Sequence, residues 1–445
     1  MHHKMKMITN CGLIFFFAVA LFLLGCKDNK QVKLPEATDV LHQNEKNLTA
    51  LIIYDIFSPP VASRIYAYTS LAQHEGLRHM DIAEASIVSR LNGFPAMPQP
   101  QTGKLYNYIL AASVAFYATM REMTFSKDTI SKFEEKTYTP FKQNLDEVTF
   151  TNSVKLGKAI SASIMERAKS DHYKETRAME KFFGSEDDGK WCPTAPDYLD
   201  GVEPYWMHIK AMSLDSSSQF DPGPPPQFRR DTTAQFYKMN REVFETINNL
   251  SKEQRETAYF WDDNPFVSHH KGHLMFNTKK QTPGGHWMGI TAIACRKANA
   301  DPIKTARAYA LVAVGLLDGF ISCWDTKYKY RFVRPITVIN QWFDKRWEPY
   351  LQTPPFPEYT SGHSTISASA ATILTALFGD NFSFHDDADK EYIDRERDFT
   401  SFMQAADEAS VSRLYGGIHY RLSLDKGGEC GKKIGSFIIS RLHYR

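Results

Sequence analysis

The sequence predicts an all-α protein, a large helical bundle, and three observations support this. Apolar residues recur at three- and four-residue steps along most of the 445-residue chain, which is the period of an amphipathic helix. The alternation of apolar and polar residues that is typical of strands is nearly absent. The composition, 42% hydrophobic and 23% charged, is that of a globular protein that buries a sizeable core. Together these features are typical of a helical bundle.

The first 25 residues are interpreted as a signal peptide. Lys4 and Lys6 precede an uncharged apolar stretch that runs from Gly12 to Leu24. This stretch has about 13 residues, fewer than the roughly 20 that a helix needs to span a bilayer. An ordinary secretory signal or a single membrane anchor is the alternative interpretation.

The apolar stretch ends in Leu23-Leu24-Gly25-Cys26, which resembles a bacterial lipobox, a motif whose cysteine is lipidated. We therefore expect Cys26 to carry a lipid and residues 26–45 to form a polar tether. The protein would then be a lipoprotein of the cell envelope, on the periplasmic side or the outer surface. Its only contact with the membrane would be the lipid anchor.

The charge of the chain argues against a nucleic-acid partner. The formal net charge is +2, and both of the excess lysines lie in the first 25 residues. No global basic field remains, so anion binding must be local. The four cysteines that follow Cys26 match no zinc or disulfide framework and are expected to be buried; they are Cys192, Cys295, Cys323 and Cys430.

From position 46 we expect one compact unit with two helical regions, 46–230 and 231–445. Glycine and proline punctuate 183–230, which is predicted to be irregular and to form either a linker or, preferably, a wall and lid over a site. Apolar periodicity predicts helices at 104–123, 127–148, 152–170, 231–249, 251–261, 303–326, 362–377, 390–410 and 427–442.

Three histidines, His269, His270 and His273, follow the predicted helix at 251–261. Three imidazoles suggest a metal site, but no acidic or fourth imidazole ligand lies at helical spacing beside them. A solvated loop or a supporting role is the interpretation that we prefer.

Three short stretches in the last third of the chain predict a cage for a tetrahedral oxyanion. A phosphate-like anion needs several donors that point inward, and guanidinium groups bind its oxygens in pairs. Pro335 favours an extended backbone at Arg334, and the Ser-Gly-His turn precedes an alanine-rich helix whose N-terminus favours an anion. The predicted cage residues are Lys327, Arg334, Ser361, Gly362, His363, Arg413 and His419.

The two histidines of the cage suit two roles. His419 is expected to attack the central atom of the anion, or to bind that atom if it is a metal. His363 is then the acid–base partner that protonates a leaving or apical oxygen. The alternative is a surface cluster of lysine and arginine with two histidines that are satisfied structurally.

Together the three stretches resemble the acid phosphatase and vanadium haloperoxidase superfamily, which includes the type-2 phosphatidic acid phosphatases. Its signature is Lys-x6-Arg-Pro, then Pro-Ser-Gly-His, then Ser-Arg-x5-His-x3-Asp. The chain departs from it twice, with Thr360 in place of the proline and Ser423 in place of the aspartate. The resemblance implies the helical-bundle fold of this superfamily and the cage roles described above.

The flanking residues resemble the bacterial chloroperoxidase-like branch of this superfamily. Trp324 and Phe356 stand where aromatic residues line the halide site of that branch. The branch also has an upstream aspartate that pairs with the arginine of the third motif, which makes Asp262 or Asp263 the candidate partner of Arg413.

The resemblance implies a vanadium-dependent haloperoxidase-like enzyme that binds vanadate or phosphate and oxidises halide with hydrogen peroxide. Vanadate is then the expected cofactor, with His419 as its metal ligand. A phosphomonoesterase of the acid phosphatase type, acting through a phosphohistidine, is the alternative. Ser423 weakens that alternative because a nucleophilic histidine needs a carboxylate on its other nitrogen, unless Asp425 or another acid replaces it. A phosphate-binding lipoprotein without turnover is a second alternative.

Overall fold

The computed structural model describes residues 33–265, 267–271, 274–277 and 280–444. The predicted signal peptide, the lipidation site Cys26, the first part of the tether and His273 lie outside the described residues. The span Pro35–Arg445 forms one compact unit. Helices dominate it and only two short hairpins are present in the described chain, which confirms the predicted all-α class.

The first half of the chain supplies a helical layer that packs on the centre of the protein. Each of its long helices buries one apolar face, and several begin at a side-chain cap, as Asp146 does by accepting a hydrogen bond from the Thr149 N–H. These helices are α1 (Ala37–Asp55), α2 (Pro59–Leu77), α3 (Tyr108–Met123), α4 (Lys127–Asn144), α5 (Glu147–Lys169) and the short α6 (Tyr173–Arg177).

The second half contributes the helices that carry the predicted cage. They are α7 (Gln235–Asn248), α8 (Lys252–Phe260), α9 (Pro283–Lys297), α10 (Pro302–Tyr330), α11 (Pro335–Trp342), α12 (Gly362–Phe378), α13 (Lys390–Ile393), α14 (Phe402–Tyr415) and α15 (Arg421–Leu442). Two antiparallel hairpins interrupt them, β1 (Ser268–Lys271) with β2 (Leu274–Asn277) and β3 (Phe384–Asp386) with β4 (Arg397–Phe399).

Helix α10 is the central element of the fold. It begins at the Asp301 cap, with Pro302 in its first turn, and nearly every residue from Thr305 to Trp324 is buried. Its length and composition would allow it to cross a membrane, but 94% of its apolar window is buried inside the protein. Such burial on all sides is that of a core helix.

Helices α12 and α15 lie unusually close together because α15 presents glycines at every fourth position. A Cβ atom at Gly435 would lie 2.7 Å from the Ser369 carbonyl oxygen, and one at Gly431 would overlap the Thr365 carbonyl oxygen. The close approach brings the N-terminus of α12 beside the loop that precedes α15, and the Ser361 N–H donates to the Ser423 carbonyl.

Several predicted boundaries are wrong, as in α15, which begins at Arg421 and not at 427, and in α3, which begins at Tyr108 and not at 104. The predicted tether 26–45 extends too far, because α1 begins at Ala37 and already buries Val40 and Leu41 against the core. The predicted helix at 390–410 is split, because Asp394 adopts a left-handed backbone conformation and Ser401 caps a new helix.

The irregular segment 183–230 lies against α10 and does not form a free linker. Its one helical feature is a short 3-10 turn, Trp206–His208. The N–H groups of Met212 and Ser213 donate to the buried carboxylate of Asp318 on α10, each over 2.7 Å. This segment is therefore a wall of the bundle beside the helix that carries Lys327.

Candidate active site

The structure brings the three predicted stretches to one buried place. Lys327 lies in the last turn of α10, Arg334 caps α11, Arg413 lies in the last turn of α14, and His419 lies in the loop before α15. The Ser-Gly-His turn starts α12. The side chains of Lys327, Arg334, Arg413 and His419 are at most 3% exposed, which excludes the alternative of a surface cluster.

Arg334 is fixed by the backbone and keeps one free nitrogen. Its backbone is extended (φ −77°, ψ 150°), as the following proline predicts. Its Nε donates to the Phe356 carbonyl over 3.0 Å, and its Nη1 donates to the Ile418 carbonyl over 2.7 Å. Its Nη2 is buried and has no hydrogen-bond partner. Burial lowers the pKa of Arg334 to about 10, so the group remains charged.

His419 is held in one orientation by a buried carboxylate. Its Nδ1 lies 2.7 Å from Oε1 of Glu358, and its Nε2 lies 3.2 Å from Nη1 of Arg334. Burial and the neighbouring Arg334 lower the pKa of His419 well below its ordinary value. These partners assign the proton to Nδ1, which leaves the Nε2 lone pair directed into the cage.

Glu358 is the functional residue that the sequence analysis missed. It accepts hydrogen bonds from the Ser423 hydroxyl (2.6 Å) and the Tyr420 N–H (3.1 Å), in addition to His419. Burial raises the pKa of Glu358, while the Ser423 hydrogen bond and Arg334 oppose that rise. Ser423, which stands where the motif has aspartate, donates to Glu358, and Glu358 is the acid that faces His419. Asp425, the other candidate acid, is exposed.

The absence of an acid at position 423 was the signal that could have led to Glu358. A histidine of this kind requires a carboxylate partner, and Glu358 lies only three residues before Ser361. Sequence spacing alone did not connect it to His419, because the contact joins residues 61 positions apart.

Lys327 points its ammonium group into the same place. Its Nζ donates to the carbonyls of Pro357 (2.8 Å) and Glu358 (3.0 Å) and lies 5.1 Å from the centre of the Phe356 ring. Burial, and after it the charge of Arg334, lower the pKa of Lys327 to about 7. An ammonium has three donors, so one remains for an anion.

The N-terminus of α12 supplies amide donors and the second histidine. The Ser361 hydroxyl accepts from the Ser364 N–H over 3.2 Å and so caps the helix. The cap leaves the N–H groups of the first turn available. The Nε2 atom of His363 is buried and has no partner. Burial and Arg413 lower the pKa of His363 well below its ordinary value, against a hydrogen bond to the Trp261 backbone.

Arg413 is held differently from the prediction. Its Nη2 donates to the carbonyls of Trp261 and, over 3.4 Å, Ala258. The predicted aspartate partners are engaged elsewhere, since Asp262 pairs with Lys280 and Asp263 faces His286. Asp262 and Asp263 nevertheless act on Arg413 through their charge, which opposes the effect of burial on its pKa.

A pocket opens onto these groups. His363, Arg413 and His419 form its polar side, and Trp324, Phe356 and Phe320 form its apolar side. The rings of Trp324 and Phe356 lie 5.0 Å apart, and the Trp324 indole N–H donates to the Val202 carbonyl on the wall segment. The cavity therefore joins an apolar pocket to a cationic cage.

The cage fits a tetrahedral oxyanion such as vanadate or phosphate. Two buried nitrogens, Nη2 of Arg334 and Nε2 of His363, have no partner in the described structure. Buried polar nitrogens of this kind, the donor Nη2 of Arg334 and the acceptor Nε2 of His363, are costly unless they have a hydrogen-bond partner. Three cations and a helix N-terminus surround the Nε2 lone pair of His419, which is the donor set that an anionic metal oxide requires.

Comparisons with known proteins agree with this geometry. A family model described as the VCPO second helical-bundle domain matches residues 307–444. A crystal structure described as the first bacterial vanadium-dependent iodoperoxidase shares 44% sequence identity, with a TM-score of 0.87, over 91% of this chain and 97% of that one.

More distant structures share the fold. A holo-type bacterial vanadium-dependent chloroperoxidase is 15% identical with a TM-score of 0.65, over 87% of this chain and 93% of that one. The apo-type chloroperoxidase structure is 14% identical with a TM-score of 0.66, over 87% and 94%. A search of curated proteins gave no significant match.

Proposed function

The chain belongs to the vanadium-dependent haloperoxidase family and is a haloperoxidase-like enzyme, and from this premise we propose that it oxidises iodide with hydrogen peroxide. The overall reaction converts iodide, hydrogen peroxide and a proton to hypoiodous acid and water. The observation that carries the proposal is the pair of buried nitrogens without a partner in the described structure, on Arg334 and His363, beside the unprotonated Nε2 of His419.

Each cage residue has a role in this reaction. His419 offers Nε2 as the ligand of the vanadium, and Glu358 keeps the proton on Nδ1. Lys327, Arg334 and Arg413 neutralise the charge of the vanadate oxygens. The N–H groups that follow Ser361 add donors at the start of α12. Vanadate, when bound, supplies the Lewis-acid centre that activates peroxide toward a halide.

His363 is the acid–base group of the proposal. Its lowered pKa keeps Nε2 unprotonated, so this atom can accept a proton from incoming hydrogen peroxide. It can then return the proton to the oxygen that leaves as water. Its hydrogen bond to the Trp261 backbone fixes the ring while it does so.

The apolar side of the cavity supports iodide as the halide. The rings of Trp324 and Phe356 form a polarisable apolar surface. Iodide loses less hydration free energy than bromide or chloride when it leaves water, so such a surface favours iodide. The solved relative with 44% identity is described as an iodoperoxidase. Oxidation of bromide at a rate comparable to that of iodide would extend the proposed substrates to both halides.

Glu358 removes one argument against phosphatase activity, since it supplies the carboxylate that Ser423 does not. The assignment to halide oxidation therefore rests on the family and on the aromatic pocket. A phosphohistidine on His419 remains the intermediate that a phosphatase would form.

The test is an assay of the purified protein with vanadate and hydrogen peroxide, with iodide, bromide or chloride, beside hydrolysis of a phosphomonoester. We expect iodide oxidation that requires vanadate and is abolished in His419→Ala. Hydrolysis of the phosphomonoester with no halide oxidation at any pH would overturn the proposal. Loss of bound vanadate without loss of activity in His419→Ala would contradict the role of that ligand.

We further propose that the enzyme is an envelope lipoprotein anchored through Cys26. The motivating residues are the lysines, the short apolar stretch and the lipobox-like ending. Labelling of cells with a palmitate analogue should mark the wild-type protein and the control Cys11→Ser, but not Cys26→Ser. Equal labelling of Cys26→Ser would reject the anchor.

A further inference from the structure

A cluster of buried acidic residues lies behind the cage, on the side of Arg413. Its members come from the end of α8, from α9 and from the hairpin region before α13. All are at most 5% exposed, and they are Asp262, Asp263, His286, Asp386 and Asp389. Carboxylates this deeply buried need a counter-charge or hydrogen-bond donors.

Most of the cluster has a partner. His286 lies between two carboxylates, with Nδ1 3.2 Å from Asp263 and Nε2 3.1 Å from Asp386. Asp262 pairs with Lys280 over 2.5 Å. Asp386 also accepts from the Ala388 N–H over 3.1 Å.

Asp389 is the exception. Its Oδ1 is buried and has no hydrogen-bond partner among the residues that the structure describes, and the residue is 1% exposed. One of its carboxylate oxygens lies within 4.8 Å of ligand atoms on both Asp263 and His286. A charged His286 would balance Asp263 and Asp386 in part, but it would leave Asp389 with no group of its own.

The charges point to a missing cation. The four carboxylates are opposed by two basic side chains. Lys280 pairs with Asp262, and Arg413 interacts electrostatically with Asp262 and Asp263. An imidazolium at His286, between Asp263 and Asp386, adds a third positive charge, so one negative charge remains in the cluster. A divalent cation in place of the His286 proton would balance it.

We propose that Asp263, His286 and Asp389 bind one divalent transition-metal cation, of which Zn²⁺ and Mn²⁺ are the representatives. Two carboxylates and one imidazole form a mixed oxygen–nitrogen set, which suits these ions better than Ca²⁺ or Mg²⁺.

The site would position the cage rather than take part in the reaction. Trp261 stacks on His286 with ring centres 4.5 Å apart, and the Trp261 carbonyl accepts from Arg413. Asp263 follows two residues later. A cation that ties Asp263 and His286 to Asp389 would therefore fix the backbone that holds Arg413.

The experiment is calorimetric titration of the full-length, vanadate-loaded protein with ZnCl₂, after removal of divalent cations by dialysis and reloading of vanadate. We expect one site that Asp389→Asn weakens by at least roughly 10- to 100-fold. The control Asp387→Asn changes an exposed acid two residues away and should bind like the wild type. Asp263→Asn, which removes a second ligand, should weaken binding as Asp389→Asn does.

The same titrations with MnCl₂ and CaCl₂ identify the ion. Tight binding of Ca²⁺ alone would contradict the imidazole ligand. Wild-type affinity in Asp389→Asn, or no binding to the wild type, would overturn the site. Circular dichroism of each variant establishes that it is folded. Vanadate content, measured in parallel, distinguishes loss of the divalent-cation site from failure of the proposed function.

Discussion

His419 depends on a carboxylate that lies far from it in the chain. Glu358 accepts a hydrogen bond from Nδ1–H over 2.7 Å and is itself held by the Ser423 hydroxyl and the Tyr420 N–H. The arrangement fixes both the tautomer and the ring plane of the imidazole. The Nε2 lone pair therefore already faces the anion site, and the imidazole does not need to reorient when the anion binds.

Replacement of Glu358 by glutamine should weaken vanadate binding by roughly 10- to 100-fold, because the amide removes the charge that supports the His419 tautomer. Glu358→Asp should recover part of the affinity, and Ser423→Ala, which removes only a neutral donor to Glu358, should have a smaller effect. Equilibrium dialysis with vanadate measures each affinity. Equal affinity of Glu358→Gln and the wild type would disprove the positioning role.

Lys327 should make vanadate binding sensitive to pH. Burial lowers its pKa to about 7, and the bound anion favours the protonated ammonium. Lys327 loses its charge as pH rises through this value, so binding above it must take up a proton and the affinity falls. Vanadate dissociation constants across pH 6 to 9 measure this, with Lys327→Met as the reference that reports the titration of vanadate itself. Parallel profiles for both proteins would contradict the assignment.

At the residue scale, the sequence predicted the site residues that lie in short motifs. It was less informative about contacts between residues that lie far apart in the chain. The seven cage residues followed from three motifs, and the structure brings all seven together. Glu358 was missed. Arg413 donates to the Trp261 carbonyl in the described structure, and its candidate partners Asp262 and Asp263 act on it through their charge. Such choices depend on backbone placement, which residue types do not reveal.

At the element scale, the contact between α12 and α15 determines the shape of the cage. Gly427, Gly431 and Gly435 line the face of α15 that meets α12, and a side chain at any of them would meet backbone atoms. The contact holds Ser361 against Ser423 through a backbone hydrogen bond. The Ser-Gly-His turn and the His419 loop are therefore coupled by glycine packing.

Gly431→Ala should destabilise the protein by about 1–3 kcal/mol, because its Cβ would overlap the Thr365 carbonyl oxygen and lie 2.8 Å from Cβ of Ala368. Gly428→Ala on the same helix is the matched control, since a Cβ there meets nothing within 4 Å. Alanine at that position should be neutral or stabilise by up to about 1 kcal/mol. Urea unfolding measures both, and equal effects would disprove the packing argument.

Element prediction succeeded where apolar periodicity was long. Helix α10 extends the predicted 303–326 by one turn, and α12 matches 362–377 to within one residue. The prediction of one helix at 390–410 failed because local polar residues determine the backbone conformation there. Asp394 adopts a left-handed conformation that ends one helix, and Ser401 caps the next. The predicted tether failed at Ala37 because few apolar residues mark the first turn of α1.

At the scale of the whole molecule, one compact unit from Pro35 onward carries the site at its centre. Buried ion pairs far from the cage join its helices, as Arg64 on α2 pairs with Asp171 over 2.7 Å. The cage draws on α10, the start of α11, α12, α14 and the loop before α15, so it forms only when these elements are packed.

Vanadate should therefore stabilise the whole fold. A ligand that binds only the folded state adds about 2.7 kcal/mol at a hundredfold excess over its dissociation constant. Thermal unfolding should show one cooperative transition that shifts to higher temperature with vanadate in the wild type and not in His419→Ala. A second transition, or a shift of the same size in His419→Ala, would contradict this.

The central claim is that the cage binds vanadate and that this anion enables halide oxidation. Titration of the vanadate-free enzyme with vanadate, with the initial rate of iodide oxidation as the readout, tests it most directly. The account predicts that the rate rises from near zero and saturates at one vanadate per chain. A rate that is the same without vanadate, or one that never appears at saturating vanadate, would contradict it.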